Sequence, residues 1–340
     1  MMRISLTSSH RAPLVLPARS KGMDTGGGPC LVYLARAAND PDLVRAFAEN
    51  LRRLPAGTDY ELVLAMKGFS AVEAERQLRD LADVNPAGII FADEGLDLGV
   101  YFGVAAQLQR ERYCFLNSYG APLVEGWLEK LDAALKLPGV GMVGATGSWA
   151  SIPSWLAYSR HLPSAYRGLL PEPRVARQLR LAIELEHAGT DKRAAADALR
   201  TRLRALRELP DQITHLQRFP AHHLRTNAFM ITHDLLQRLR LHVVHSKTDA
   251  YLLESGRNSL TRQVQRLGLA TVVVDRAGAV YDHEYWDRSQ TLWQGDQEGL
   301  LVADNQTLAY ERGGAERRRF LSAYAWGQRA NPSLPSKHPS

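Results

Sequence analysis

Between residues 31 and 116, short apolar runs alternate with helix-length amphipathic runs, and this rhythm constrains the fold more than any other feature. The runs 31–35, 60–66, 88–92 and 113–116 have the length and composition of buried strands, while 41–54, 71–82 and 99–111 carry helical spacing. Pro41, preceded by Asp40, suits the first position of a helix, where a missing N–H costs nothing. Strict alternation requires right-handed crossovers, hence a mostly parallel sheet with helices on both faces. The expected fold class is α/β, with one Rossmann-like sheet.

Ligands of such sheets lie beyond the carboxyl ends of the strands. Polar residues gather at those ends here: Arg36 and Asn39 after the first strand, Lys67 after the second, Asp93 and Glu94 after the third, and Asn117, Ser118 and Tyr119 after the fourth. No Gly-x-Gly-x-x-Gly follows any of these four strands, and no Gly-x-x-x-x-Gly-Lys-Ser/Thr occurs, so neither a dinucleotide fingerprint nor a phosphate loop is expected.

With 340 residues and 45% hydrophobic content, the chain can bury a large core. No apolar run is long enough to span a bilayer. The two cysteines, Cys30 and Cys114, are too few for a disulfide scaffold and fit a reducing cytoplasm. The first 22 residues are basic but lack the apolar core of a secretory signal.

The net charge is +6, and residues 151–220 hold twelve Arg and Lys against seven Asp and Glu. Within them, 174–188 and 192–209 read as amphipathic helices inserted into the core pattern. A solvated helical hairpin is the plain reading; a basic face for an anionic membrane surface or a lipid pyrophosphate is the sharper one. Nucleic acid is not an expected partner, because no recognisable module is present and no aromatics are interleaved with the insertion's arginines.

After the insertion, 222–233 reads as a strand leading to a helix at 234–239, and 247–268 leads through a helix to the strand 270–275. The expected organisation is a disordered extension (1–28), a first half of the core (29–150), the basic insertion (151–220), a second half of the core (221–329) and a disordered tail (330–340).

The order of these motifs resembles the family 2-like glycosyltransferases of the A-type, nucleotide-diphospho-sugar transferase fold. The likeness spans roughly 31–287 without the insertion, carried by the strand ending in Asn117-Ser118-Tyr119, then Gly126-Trp127-Leu128, then the strand 140–144 and the run 227–231. Gln263-Val-Gln-Arg266-Leu267 partly echoes a Gln-x-x-Arg-Trp motif. The resemblance implies a single sheet that is mostly parallel and mixed in its C-terminal half, with 29–150 as the nucleotide-sugar-binding half and 221–329 as the acceptor and catalytic half. It also implies sugar transfer from a nucleotide-sugar donor to a saccharide or lipid-linked saccharide acceptor, with inversion, in cell-envelope polysaccharide or lipopolysaccharide synthesis. The expected location is the cytoplasm, with peripheral membrane contact through 151–220. A catalytically silent member of the fold, binding nucleotide-sugar or glycan, is the alternative.

On this reading Glu254, placed at a helix start, is the candidate base, with Asp249 in reserve. Arg36, Lys67, Asp93, Glu94, Asn117, Ser118, Tyr119, Arg257 and Arg262 are candidates for donor binding, and Asn227 and Trp286 for the acceptor. The family's Asp-x-Asp motif, which holds Mn or Mg, is replaced by Asn117-Ser118-Tyr119, whose neutral oxygens anchor such ions poorly. Two remedies are open: a metal held through His283 with Asp282, Glu284 or Asp93, or neutralisation of the diphosphate by Arg36, Lys67, Arg257 or Arg262.

Overall fold

The computed structural model describes residues 14–16, 27–93, 97–151, 215–241, 244 and 247–332. Glu94 and residues 152–214 of the expected insertion lie outside the described residues. In chain order the described strands are β1 (Leu14–Leu16), β2 (Cys30–Arg36), β3 (Glu61–Lys67), β4 (Ala87–Phe91), β5 (Arg112–Leu116), β6 (Ala121–Pro122), β7 (Val140–Gly144), β8 (Gly147–Ser148), β9 (His223–Leu224), β10 (Ala228–Thr232), β11 (Ala270–Val274), β12 (Val280–Asp282) and β13 (Val302–Ala303).

Nine of them form one sheet in the order β1-β4-β3-β2-β5-β10-β7-β11-β12, while β6 pairs with β13 and β8 with β9. Strands β4, β3, β2 and β5 run parallel, and β7 and β11 are parallel to each other. β10 runs antiparallel between β5 and β7, and β12 antiparallel beside β11, so the sheet is mostly parallel and mixed in its C-terminal half. From β2 the chain builds outward through β3 to β4, then returns to add β5 on the other side. The order therefore reverses between β2 and β5, and the carboxyl ends of those two strands flank the crevice where ligands of such sheets sit.

Local sequence explains the elements. β2 is apolar on both faces and buried up to Arg36, as a parallel strand covered by helices on both sides must be. The helix Asp42–Arg53 buries Val44, Phe47, Ala48 and Leu51, one stripe at helical spacing. The helix Ala71–Asp80 starts at a capping box in which Ser70 accepts from the Glu73 amide and Glu73 accepts from the Ser70 amide. Gly139, Gly141 and Gly144 have dinucleotide-motif spacing but follow a helix and run along β7. A side chain at Gly141 would come within 2.7 Å of Val264, so this glycine serves close packing.

Successive strand residues face opposite sides. Val32, Leu34, Val63, Ala65, Phe115 and Phe229 pack with the helices Asp97–Leu108, Lys247–Ser255 and Leu260–Arg266. Leu31, Tyr33, Leu64, Cys114 and Met230 pack on the other side with Asp42–Arg53 and Trp127–Leu135.

Three expectations are corrected. Leu14–Leu16, inside the stretch expected to be disordered, pairs antiparallel with β4 and forms a sheet edge. The expected strand at 222–233 is two strands, β9 and β10, broken by a turn, and its last residue opens the helix His233–Arg238. The first residues of the expected tail are bound to the core, because Asn331 accepts from the Gly295 amide at 2.7 Å and its own amide donates to Gln294, while 333–340 lie outside the described residues. Among the described residues, no helix is long and apolar enough to cross a membrane.

Candidate functional site at the carboxyl edge

Strand alternation decides which side chains meet. Arg36 follows Val32 and Leu34 on β2, and Lys67 follows Val63 and Ala65 on β3. Asn117 follows Tyr113 and Phe115 on β5, and Asn227 precedes Phe229 on β10. All four therefore lie at the carboxyl edge of the parallel strands, on the face covered by the helix Asp97–Leu108.

Arg36 and Lys67 are register partners. Like charges directly opposite on adjacent strands are destabilising unless an anion lies between them. Lys67 is 2% exposed and its Nζ lies 3.7 Å from an Asp93 carboxylate oxygen. The Arg36 Nε is buried without a hydrogen-bond partner, as is the Asn39 amide nitrogen in the following loop. Gly68, with φ +77°, turns the chain away from β3, and a side chain there would press on Asp93 at 3.1 Å.

At the end of β5 the chain makes a tight turn. The Gly120 amide donates to the Asn117 carbonyl, and the Asn117 side-chain oxygen accepts from the Tyr119 amide at 3.0 Å. Tyr33 fixes this turn from the opposite face by donating to the Ser118 carbonyl at 2.7 Å. The Asn117 amide donates to the Asn227 carbonyl at 2.9 Å, which fastens the turn to the start of β10.

Beside Asn227, the Thr226 hydroxyl donates to Glu254 Oε2 at 2.5 Å, and the Thr146 hydroxyl donates to Asn227 Oδ1 at 2.8 Å. Glu254 does not open a helix as expected: it is the penultimate residue of the helix Lys247–Ser255. The helix dipole there disfavours a carboxylate, so the Thr226 hydroxyl supplies the charge-assisted bond that the helix end does not. Asp249 sits in the first turn of the same helix. Five residues turn an α-helix by about 140°, so Asp249 and Glu254 face different directions and are not brought together.

Tyr101, on the helix Asp97–Leu108, stacks on Phe115 with ring centroids 4.9 Å apart. Its hydroxyl is buried without a partner, and so is Asp97 Oδ1 one turn earlier. Burial, reinforced by Asp97 and by Glu254 among other neighbours, pushes the Tyr101 phenol far above its ordinary range. His223 is held by a 2.6 Å bond between Nδ1 and the Ala221 carbonyl. A carbonyl can only accept, so Nδ1 carries the proton and Nε2 the lone pair. Burial lowers the His223 pKa, while Glu254 and the carbonyl act the other way.

The structure thus brings Arg36, Lys67, Asp93, Asn117, Ser118, Tyr119, Asn227 and Glu254 to one edge, and sends other expected site residues elsewhere. Arg257 donates to the Leu216 carbonyl and Arg262 to Gln217, so both brace the segment 215–217. The echo motif is also structural: the Gln263 side chain bonds both backbone groups of Arg240, and Arg266 bonds Asn258. Trp286 is fully buried, with its indole N–H on the Tyr281 carbonyl, so it offers no face to a sugar.

His283 pairs with Asp282 at 2.6 Å and its ring meets His222 at 5.0 Å, beyond β12 at the far edge of the sheet. Asp93 follows β4, seven strands away, roughly 34 Å at 4.8 Å per strand, so the two cannot share a metal ion. Among the described residues, no three His, Cys, Asp or Glu side chains are grouped to hold a metal. The Asn117 turn itself presents only neutral oxygens, which anchor Mn or Mg poorly.

Sequence reading missed Arg225. Its Nη2 donates to the fully buried Asp304 at 2.7 Å, while its Nη1 is buried without a partner. The Asn227 amide nitrogen is likewise unpartnered. Arg36, Asn39, Arg225 and Asn227 therefore leave four nitrogen donors unpaired along one edge, a donor excess that fits a ligand rich in anionic oxygens.

No family model matches the sequence, and no curated protein matches it. Among solved structures it is similar in part to the mannosyltransferase PcManGT from Pyrobaculum calidifontis, in complex with GDP-Man and Mn2+: 12% identity, 34% of this chain, 35% of that one, TM-score 0.29. It is also similar to mouse xyloside xylosyltransferase 1 (12% identity, 73% and 85% covered, TM-score 0.34). A third similar structure is a CMP:2-keto-3-deoxy-manno-octonic acid synthetase complexed with CTP (11% identity, 72% and 88% covered, TM-score 0.35). The chain spans about a third of the length of the first two matches, PcManGT and the glycosyltransferase GlyE of Streptococcus pneumoniae TIGR4.

Proposed function

We propose that the chain is a glycosyltransferase that moves a sugar from a nucleotide-sugar donor to a saccharide hydroxyl. The observation that carries this reading is the cluster of unpaired nitrogen donors beside the Arg36–Lys67 pair, at the point where the strand order reverses. Two neighbouring cations and several desolvated N–H groups match the oxygens of a diphosphate, which accept from guanidinium in bidentate fashion. The carboxylate of Glu254 lies at the same edge.

In the proposed reaction Glu254 takes the proton of the acceptor hydroxyl as that oxygen bonds to the anomeric carbon. The bond from that carbon to the donor phosphate breaks, and its electron pair leaves on the diphosphate, so the anomeric configuration inverts. In this reading the free amide nitrogen of Asn227, next in sequence to the Thr226 that holds Glu254, belongs to the diphosphate cluster and not to the acceptor, the role expected of it. The acceptor class is a growing cell-envelope polysaccharide or lipopolysaccharide, or its lipid-linked form. Action in the cytoplasm or at the inner face of the membrane belongs to the same proposal.

One observation favours a second reading, a catalytically silent binder: the turn that carries carboxylates in the family is neutral here. Incubating the protein with a panel of radiolabelled nucleotide sugars, and measuring release of nucleoside diphosphate with and without mixed saccharide acceptors, separates the two. Turnover that depends on Glu254 supports the transferase. Tight binding with no turnover supports the silent binder, and neither binding nor turnover sinks both.

A further inference from the structure

Neither Arg225 nor Asp304 is marked by any sequence pattern, yet the fold delivers both to the Asn117 turn. That turn runs into β6, which pairs with β13, Ala121 opposite Ala303, so Asp304 arrives next to it. The Arg225 amide donates to the Thr146 carbonyl, and Asn227, two residues on, accepts from the Asn117 amide. Asp304 is 0% exposed and both its oxygens are used. Oδ1 accepts from the Gln306 and Thr307 amides and caps the helix Asn305–Glu311, while Oδ2 accepts from Arg225.

The guanidinium is thus anchored through one nitrogen by a carboxylate that cannot move without uncapping a helix, and its other terminal nitrogen is left over. Asn227 repeats the arrangement, its amide oxygen fixed by Thr146 and its nitrogen left over. Two desolvated donors, each held by its opposite end, are pre-set for an anionic oxygen. They stand beside a turn too poor in charge to hold a divalent ion.

We infer that Arg225, held in place by Asp304, binds the diphosphate of the donor nucleotide and supplies the positive charge that a divalent metal would otherwise bring. The inference rests on the nucleotide-sugar reading. Arg225 touches the ligand; Asp304 acts through it as a positioning residue.

Isothermal titration of the full chain with UDP, GDP, CDP and ADP, and with the matching nucleosides, in EDTA and then in MnCl2, tests the inference in wild type, Arg225→Lys and Asp304→Asn. Lysine keeps Asp304 paired but has no second nitrogen to offer, and asparagine keeps the helix cap, so both variants are expected to fold, as checked by near-UV circular dichroism. Wild type is expected to bind one diphosphate equally well in EDTA and in MnCl2. Both variants should weaken that diphosphate about tenfold or more, the worth of a hydrogen bond to a charged group, and leave the nucleoside unchanged. A merely structural role would weaken nucleoside and diphosphate alike, and that result overturns the inference. Diphosphate binding that needs MnCl2, or that Arg225→Lys leaves intact, overturns the inference while the nucleotide-sugar reading stands. Failure of wild type to bind any nucleotide removes that reading and the inference together.

Discussion

The Thr226 hydroxyl donates to Glu254 at 2.5 Å, across 28 residues of sequence, and this bond ties the end of the helix Lys247–Ser255 to the start of β10. It gives the carboxylate one fixed oxygen and leaves the other without a hydrogen-bond partner among the described residues. Glu254→Gln keeps an oxygen for Thr226 but cannot accept a proton. Its kcat for sugar transfer is expected to fall by roughly 10²–10⁴ with the melting temperature unchanged, the usual range for loss of a general base. Asp249→Asn, on another face of the helix, should leave kcat within about twofold, since a group that touches no reacting atom contributes little to the transition state. Equal losses in the two variants would remove Glu254 from its role.

Arg36 and Lys67 lie opposite each other on β2 and β3, one with an unpaired nitrogen and the other almost wholly buried. A pair of like charges stabilises a bound anion at the expense of the empty fold. Arg36→Gln is therefore expected to hold or raise the melting temperature of the free protein while weakening diphosphate binding by about 1.5–3 kcal/mol, as for hydrogen bonds to charged groups. Titration calorimetry beside a thermal melt separates the two effects. A variant that loses stability and keeps affinity would make Arg36 a structural residue.

Acid should destabilise the fold through the aromatic cluster beyond β12. His222 lies against Trp149 and His283, and burial, followed by the charges of His283, Arg262, His223 and Arg329, lowers its pKa from 6.5 to about 4. Above pH 6.5 the imidazole is neutral in both folded and unfolded chains, and folding releases no proton. Between pH 6.5 and 4 the unfolded chain takes up a proton that the folded one refuses, so stability falls as the pH falls. His223, also lowered by burial, adds to the same trend. Urea denaturation of His222→Gln at steps through this window should show a flatter decline than wild type. An identical slope would mean that His222 does not titrate with folding.

Much of the edge was legible because strand-end position follows from alternation alone. Once 31–35, 60–66 and 113–116 read as parallel strands, Arg36, Lys67 and Asn117 had to share an edge; that they also share a face depends on the register between strands, which no sequence period carries. The Arg225–Asp304 contact spans 79 residues and depends on the two-residue pairing of β6 with β13, which has no period to read. Glu254 was assigned to the wrong end of its helix although a stop signal was present. Gly256 follows the last helical residue, and a side chain there would lie 2.4 Å from the Leu252 carbonyl. Trp286, expected on the acceptor side, and Trp293 both sit among amides and carboxylates in sequence, which does not place them at the surface. In the fold both rings are buried and their N–H groups are spent on the Tyr281 and Gln306 carbonyls.

The structural role of Trp286 can be tested at a residue it touches. Gly147, in β8, passes under the indole so closely that an added Cβ would lie 2.5 Å from one ring carbon and 2.7 Å from another, with Val273 at 2.9 Å. The ring is 0% exposed and cannot tilt outward without breaking its bond to the Tyr281 carbonyl. Overpacking of a dense core costs about 1–3 kcal/mol, so Gly147→Ala should lower unfolding free energy by that amount with the Kd of the donor nucleotide unchanged. Trp286→Ala opens a cavity instead and should cost about 3–5 kcal/mol, as for large truncations, again without a specific loss of acceptor affinity. If either variant keeps wild-type stability in urea while its KM for the saccharide acceptor rises, the indole is reaching the acceptor after all and its burial in the core is not what holds it in the sequence.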